Sequence, residues 1–361
     1  MRKIVCEKEL AEAIGASIEN YEWCIKKEEK KRNFSYVAKY MLWIVLLIAL
    51  TPRKRIFSKK MVCAITPVNK KLLFKYADKD ELFCFAKLND TPSLMKHNIS
   101  VFSPYIFKER IVIAINAYRF YLKYRNKLKG YIHFVLEYYG IADFIDRQNI
   151  DTIISPCMYE RYSTFITHYA KSRNLMLIGV QDGAAIDINV PSKVYCNKMY
   201  CFDEYEASIL RKFIGNSDCQ YVYIGFKSTL KWKSIEKDGM YVIAVASQDW
   251  FTSKTINLLE TLLDAIKGKK IKIIVFPHYR ENWRQYLNIK KRYPELLVEM
   301  GERYSNIDLL ITFYSTIVYD FWSVNPKLKV KCLRIPGYEA GYYGRSNVEV
   351  YDEVCRLVES I

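Results

Sequence analysis

Two apolar runs in the C-terminal third of the chain each end in polar side chains suited to holding a phosphate. The run 271–276 leads into Pro277-His278-Tyr279-Arg280-Glu281, and the run 307–312 leads into Phe313-Tyr314-Ser315-Thr316. A histidine beside an arginine offers a phosphate oxygen a hydrogen-bond donor and a charge. Ser315 and Thr316 stand where a helix opening at Ile317 would present its unpaired N–H groups and the positive end of its dipole. Plainer uses exist for the same residues. Ser and Thr cap helices, and a histidine after a buried strand is often a satisfied boundary residue.

A third cluster, Gln181-Asp182-Gly183, closes the apolar run 175–180. Gly183 permits a tight strand-to-helix turn. Asp182 is a candidate general base, with helix capping as its alternative use. Gln248 and Asp249 follow the run 241–246 and are candidates for substrate contact, or ordinary loop polar groups.

The elements that must position these residues follow from the apolar periodicity. Strand-like runs at 61–66, 81–85 and 152–155, with helical patterns at 107–127 and 131–147, open the series. A helix at 159–173, strands at 175–180 and 198–202, a helix at 204–213 and a strand at 221–224 complete a first strand-helix alternation. A polar Lys- and Ser-rich stretch, 227–239, precedes a second alternation. Its expected strands are 241–246, 271–276, 309–312 and 330–334, with helices at 254–267, 283–293 and from 317. A final helical pattern over 348–361 is expected to pack back on one of the domains, the N-terminal one being a candidate. Such alternation marks parallel sheets, so the expected class is α/β with two Rossmann-like domains, 1–230 and 231–361. Ligands in such folds bind beyond the carboxyl ends of the strands. The three clusters are therefore expected to face an interdomain cleft.

Composition bounds the class. With 51% hydrophobic residues and only 23 Gly or Pro in 361, the chain is a packed globular protein long enough for two cores. A formal charge of +17 favours polyanionic partners: nucleic acid, anionic lipid or phosphorylated sugars. The lysines are dispersed and no RNA-binding motif occurs, so nucleic acid is not expected. The apolar run 40–50 has basic flanks but is too short to span a bilayer; it reads as a buried element or an interfacial one. Ten scattered cysteines show no zinc spacing and read as reduced thiols. Residues 1–16 are charged and helical in pattern, unlike a secretory signal. A cytoplasmic protein is expected, working in solution or on the inner membrane face.

No HExxH, GxSxG or P-loop pattern is present. Asp78-Lys79-Asp80 is formally a DxD, but it lies in a charged run and reads as a solvated turn. No metal and no cofactor are therefore expected, and a nucleotide-linked compound is the expected substrate.

The three clusters in this order resemble those of GT-B glycosyltransferases of bacterial surface polysaccharides, most closely the bacterial sialyltransferase and polysialyltransferase families. That pattern is an acidic pair before Gly, then His-Pro, then a Ser/Thr pair. Gln181-Asp182-Gly183 is similar to the first with Gln for one carboxylate, His278-Tyr279-Arg280-Glu281 to the second with Tyr for Pro, and Ser315-Thr316 to the third. The stretch 311–321 also resembles CDP-glycerol glycerophosphotransferases. The resemblance spans roughly residues 150–335. It implies a GT-B-like, metal-independent, inverting transfer from a CMP- or CDP-linked sugar, sialic acid or a relative, to a capsule or lipopolysaccharide-type glycan, free or lipid-linked. In that implication Asp182 deprotonates the acceptor, His278 contacts the donor phosphate or assists the leaving group, and Ser315 and Thr316 bind that phosphate, to which Arg280, by its place beside His278, adds charge. The N-terminal domain would take the acceptor and the C-terminal domain the donor. Alternatives are a glycerophosphotransferase or sugar-nucleotide epimerase on the same fold, or a non-catalytic polyanion-binding protein.

Overall fold

The structure, a computed structural model, describes residues 5–27, 101–156, 161–181, 183, 185, 190–226, 228, 230–248, 251–278, 281–300, 303–336 and 339–361, with scattered positions between 42 and 84. The chain forms two compact units. One comprises Met1–Asp182, Asn189–Cys201 and Leu210–Tyr223; the other comprises Gly183–Ile188, Phe202–Ile209 and Ile224–Ile361. Both are α/β with parallel sheets, the class that the alternation of apolar runs predicts.

The first unit holds strands β1 (Lys60–Val62), β2 (Leu82–Cys84), β3 (Thr152–Pro156), β4 (Met176–Val180), β5 (Lys198–Cys201) and β6 (Gln220–Tyr223) in the order β2-β1-β3-β4-β5-β6. Every pairing is parallel. Its helices are α1 (Glu7–Lys27), α2 (Phe107–Leu128), α3 (Ile132–Arg147) and α4 (Arg161–Ser172). Parallel sheets need cover on both faces, and the helices carry large aromatic side chains to supply it. Tyr138 of α3 stacks on Phe165 of α4 with ring centroids 4.1 Å apart. Asn20 pins α1 to this layer, donating to Thr164 Oγ1 at 2.8 Å and to the Ser192 carbonyl at 2.9 Å. The strand expected at 61–66 is described only through Cys63, and the expected helix at 159–173 is described from Arg161. Asp78 to Asp80 lie outside the described residues.

Helix α5 (Glu204–Phe213) joins β5 to β6. The second unit contains β7 (Trp232–Lys233), β8 (Tyr241–Ala246), β9 (Ile271–Phe276), β10 (Leu297–Val298), β11 (Arg303–Tyr304), β12 (Leu309–Thr312), β13 (Lys329–Leu333) and β14 (Val348–Tyr351). Its helices are α6 (Thr252–Ala265), α7 (Arg284–Arg292), α8 (Ile317–Val324) and α9 (Val354–Glu359). The main sheet runs β10-β9-β8-β12-β13-β14, all parallel. The period-2 side-chain alternation splits β8 between two cores. Val242, Ala244 and Ala246 face a cluster with Leu310, Phe321 and Val330, while Ile243 and Val245 face Leu258, Leu262 and Tyr286. Helix α6 buries Thr255, Leu258, Leu259, Leu262 and Leu263, the i, i+3, i+4, i+7, i+8 spacing of one helix face.

One expectation for this unit is corrected. The segment 348–361 is not one helix: Val348–Tyr351 is an edge strand in register with β13, Val330 opposite Val348. Its Val-Glu-Val-Tyr alternation has the period of a strand, and Lys331 of β13 secures it, donating to Glu349 Oε2 at 2.5 Å and to the Tyr351 hydroxyl at 2.9 Å. Helix α9 packs on α6, β13 and β14, the second unit's own elements, with Leu357 fully buried. The polar stretch 227–239 contributes a short strand. Trp232 and Lys233 pair with Arg303 and Tyr304 in a separate two-stranded parallel sheet, because the Trp232 ring packs against Phe321 at 5.1 Å.

Candidate functional site at the carboxyl ends of β9, β8 and β12

Counted from β8, the strand order of the second unit is 3-2-1-4-5-6, the doubly wound order whose direction reverses between its first and fourth strands. The reversal falls between β8 and β12. Ser247 and Gln248 leave β8 on one side of it, and residues 313–316 leave β12 on the other. Thr312 Oγ1 donates to the Ala246 carbonyl at 3.2 Å, and the Phe251 and Tyr314 rings meet edge-on at 5.9 Å.

At the end of β9 a buried carboxylate organises the loop. Glu281 accepts hydrogen bonds from the His278 backbone N–H at 2.7 Å, the Thr252 hydroxyl at 2.7 Å and the Tyr286 hydroxyl at 2.9 Å. The Ser247 hydroxyl also donates to Glu281, and it accepts the His278 N–H at 2.8 Å. The Glu281 N–H in turn donates to the His278 carbonyl at 2.9 Å. Burial raises the Tyr286 phenol well above its usual range, so it stays a fixed donor. The partly buried His278 is thus held by its backbone at the carboxyl edge of the sheet, and the buried Gln248 stands two residues beyond the end of β8.

At the end of β12, Ser315 and Thr316 lead into α8. The Ile317 N–H donates to Ser315 Oγ at 3.4 Å, a long bond, and Thr316, the N-cap, is exposed with no side-chain cap bond. Capping therefore makes little use of the Thr316 hydroxyl. Two tyrosines, Tyr342 fully buried and Tyr343 partly so, brace the turn: Tyr343 donates to the Phe313 carbonyl at 2.7 Å, and Tyr342 to the Ser315 carbonyl at 3.2 Å. Burial raises both phenols.

The segment carrying Gly183 reaches the same turn. A Cβ on Gly183 would lie 3.4 Å from Thr316 Cγ2, at van der Waals contact. Two residues on, the Ala185 N–H donates to the buried Glu206 carboxylate at 2.7 Å, and the Ala185 carbonyl accepts from the Gly341 N–H at 2.6 Å. Glu206 also accepts from Tyr319 of α8.

The structure therefore brings His278, Gln248, Ser315, Thr316 and Gly183 to the strand ends of one sheet or to the turn beside them. His278 and the Ser315-Thr316 pair flank β8 on its two neighbouring strands, ~10 Å apart by strand spacing. Gln181 is fully buried, and its N–H continues the ladder to the Tyr200 carbonyl at 2.8 Å. Asp182, Asp249, Tyr279 and Arg280 lie outside the described residues. Sequence reasoning passed over Ser247, Thr252 and Tyr286, which position His278 through Glu281. Ser247 directly follows an apolar strand, a usable signal, but nothing local marks Tyr286, whose role depends on tertiary contact. Among the described residues no cluster of three or more His, Cys, Asp or Glu side chains is placed to hold a metal ion.

No protein-family model matches the chain, and no curated protein matches it in sequence. Among solved structures it is similar to Anabaena HepE in complex with UDP and glucose, at TM-score 0.44 and 11% identity over 84% of this chain and 89% of that one. It is also similar to S. aureus MnaA with UDP, at 0.44 and 9% over 84% and 86%. Acinetobacter baumannii MurG follows at 0.39 and 10% over 83% and 88%. Likeness at this level says nothing of what the chain does, and the functional reading rests on the chain's own residues.

Proposed function

We propose that the chain is a metal-independent, inverting glycosyltransferase of GT-B type that takes a nucleotide sugar, CMP- or CDP-linked with sialic acid or a related sugar, and transfers the sugar to a surface glycan. One observation carries this reading: at the topological reversal of a 3-2-1-4-5-6 sheet, a clamped His278 and the Ser315-Thr316 helix opening flank the same central strand. A donor phosphate lying over that point meets an imidazole on one side and hydroxyl and N–H donors on the other. Arg280, two residues from His278, adds positive charge.

In the proposed step the acceptor hydroxyl gives its proton to Asp182, next to Gly183, as its oxygen bonds the anomeric carbon. The bond from that carbon to the phosphate oxygen breaks, and the nucleotide leaves with the electron pair. His278, Ser315 and Thr316 stabilise the charge that grows on the phosphate. The first unit is assigned the acceptor and the second the donor. The setting is the cytoplasm and, for a lipid-linked acceptor, the inner membrane face.

The test is product analysis. Incubation with CMP-, CDP- and UDP-linked sugars and glycan acceptors should yield free nucleotide and an acceptor heavier by one sugar. Asp182→Asn should slow transfer by about a hundred-fold or more while donor binding persists. An acceptor heavier by glycerol phosphate, or an epimerised donor, would overturn the reading.

A further inference from the structure

Helix α2 has two apolar faces. Ile113, Ala117, Phe120 and Leu128 are buried in the first unit. Phe107, Ile111, Ile115, Tyr118 and Leu122 form a second stripe, each between 39% and 54% exposed. At 3.6 residues per turn that stripe occupies ~80° of arc, well away from the buried face. A single exposed leucine needs no explanation, but a continuous stripe along most of a helix does.

The charge on the same helix identifies what the stripe meets. Its 22 residues carry six Lys or Arg and one acid. The acid, Glu109, is engaged at the helix start, accepting the Ile106 N–H at 3.0 Å. Lys108, Arg119 and Lys123 line one border of the stripe, with Arg125 at its C-terminal end; all four are exposed. Lys123 pairs with Glu7 at 2.5 Å, an exposed bond that a denser anionic surface can replace. An apolar stripe bordered by cations matches the depth profile of an interfacial helix, with side chains among acyl chains and charges at phosphate level. A second copy fits poorly, because pairing two such faces would oppose their cations. The run 40–50, expected to be buried or interfacial, is described only at positions 42, 45, 46 and 49. These are exposed helical positions at i, i+3, i+4 and i+7, with Leu42, Val45 and Leu46 among them, so the unit carries further exposed apolar surface. No helix among the described residues is long and apolar enough to cross a membrane.

We propose that the exposed face of α2, Phe107 to Leu122, lies in the plane of an anionic lipid surface and docks this chain there. The proposal gives a surface to the membrane setting of the transferase reading. The test is co-sedimentation of the full chain with phosphatidylcholine vesicles, with and without roughly one-third phosphatidylglycerol. The expected result is binding at least about ten-fold tighter to the anionic vesicles, lost in Ile111→Glu/Ile115→Glu. In Lys108→Glu/Arg119→Glu it should weaken by about five-fold or more per charge. Tyr118→Ser/Leu122→Ser provides a second, uncharged break of the stripe, and thermal unfolding in solution checks that every variant folds. Equal binding to neutral vesicles, no vesicle binding, or unchanged binding by folded variants would overturn the proposal. So would dimerisation in solution abolished by the same stripe variants, which would assign the face to a second copy. Partition is read without donor or acceptor, so its failure is separable from failure of the transferase reading.

Discussion

The backbone N–H of His278 donates to the carboxylate of Glu281, three residues on, at 2.7 Å. The glutamate at the end of His278-Tyr279-Arg280-Glu281 is thus a buried anchor that also gathers Ser247, Thr252 and Tyr286. Its place in the motif follows from the turn it closes. The acceptor must return to the histidine amide, and three residues is the reach of that turn.

Removing the anchor should cost stability and function together. Glu281→Ala removes the acceptor shared by the His278 N–H and the Ser247, Thr252 and Tyr286 hydroxyls and should destabilise the chain by about 2–4 kcal/mol. Glu281→Gln, which keeps one carbonyl acceptor, should cost about half as much. Urea unfolding measures both, and a Glu281→Ala change under about 0.5 kcal/mol would deny the anchoring role.

Thr316 should affect ligand binding without affecting folding. It is exposed and makes no cap bond, so Thr316→Val should leave the melting temperature nearly unchanged. A lost hydrogen bond to a charged phosphate should weaken nucleotide binding about ten-fold. Calorimetry beside thermal unfolding separates the two effects.

The central strands were legible because β8, β9 and β12 are short, apolar and rich in β-branched residues, as strands buried on both faces must be. Their polar ends at His278 and Ser315 could be found for the same reason. The edge strand Val348–Tyr351 was missed because four residues of alternating character beside a helix can be absorbed into the helical pattern, and only pairing with β13 decides between them. Glu206 was missed because nothing in its local sequence shows that its carboxylate meets Ala185 and Tyr319, the latter more than a hundred residues away.

Gly341 should not tolerate a side chain. A Cβ there would lie 2.9 Å from both the Ala185 carbonyl oxygen and Glu206 Oε1. Gly341→Ala must displace the Ala185 backbone or the buried Glu206 carboxylate, at a cost of about 1–3 kcal/mol. Thermal unfolding checks it, and an unchanged melting temperature in Gly341→Ala would contradict the close approach.

His168 should make stability depend on pH. Burial, and secondarily Lys171, lowers its imidazole below the usual value of 6.5, against the bond from Nε2 to the Lys193 carbonyl. The unfolded chain then binds more protons than the folded one just below that value, so stability falls as the pH drops through about 6.5. His168→Gln should flatten the melting temperature between about pH 7 and 5 relative to the parent. Parallel curves for the two proteins would refute it.

The most direct measurement is calorimetric titration of the full chain with CMP, CDP, UDP, GDP and dTDP, beside His278→Ala. The account predicts that one nucleotide binds selectively and that the substitution weakens it about ten-fold or more. Absence of binding by every nucleotide, or equal affinity in the variant, would contradict a donor site at the ends of β9 and β12.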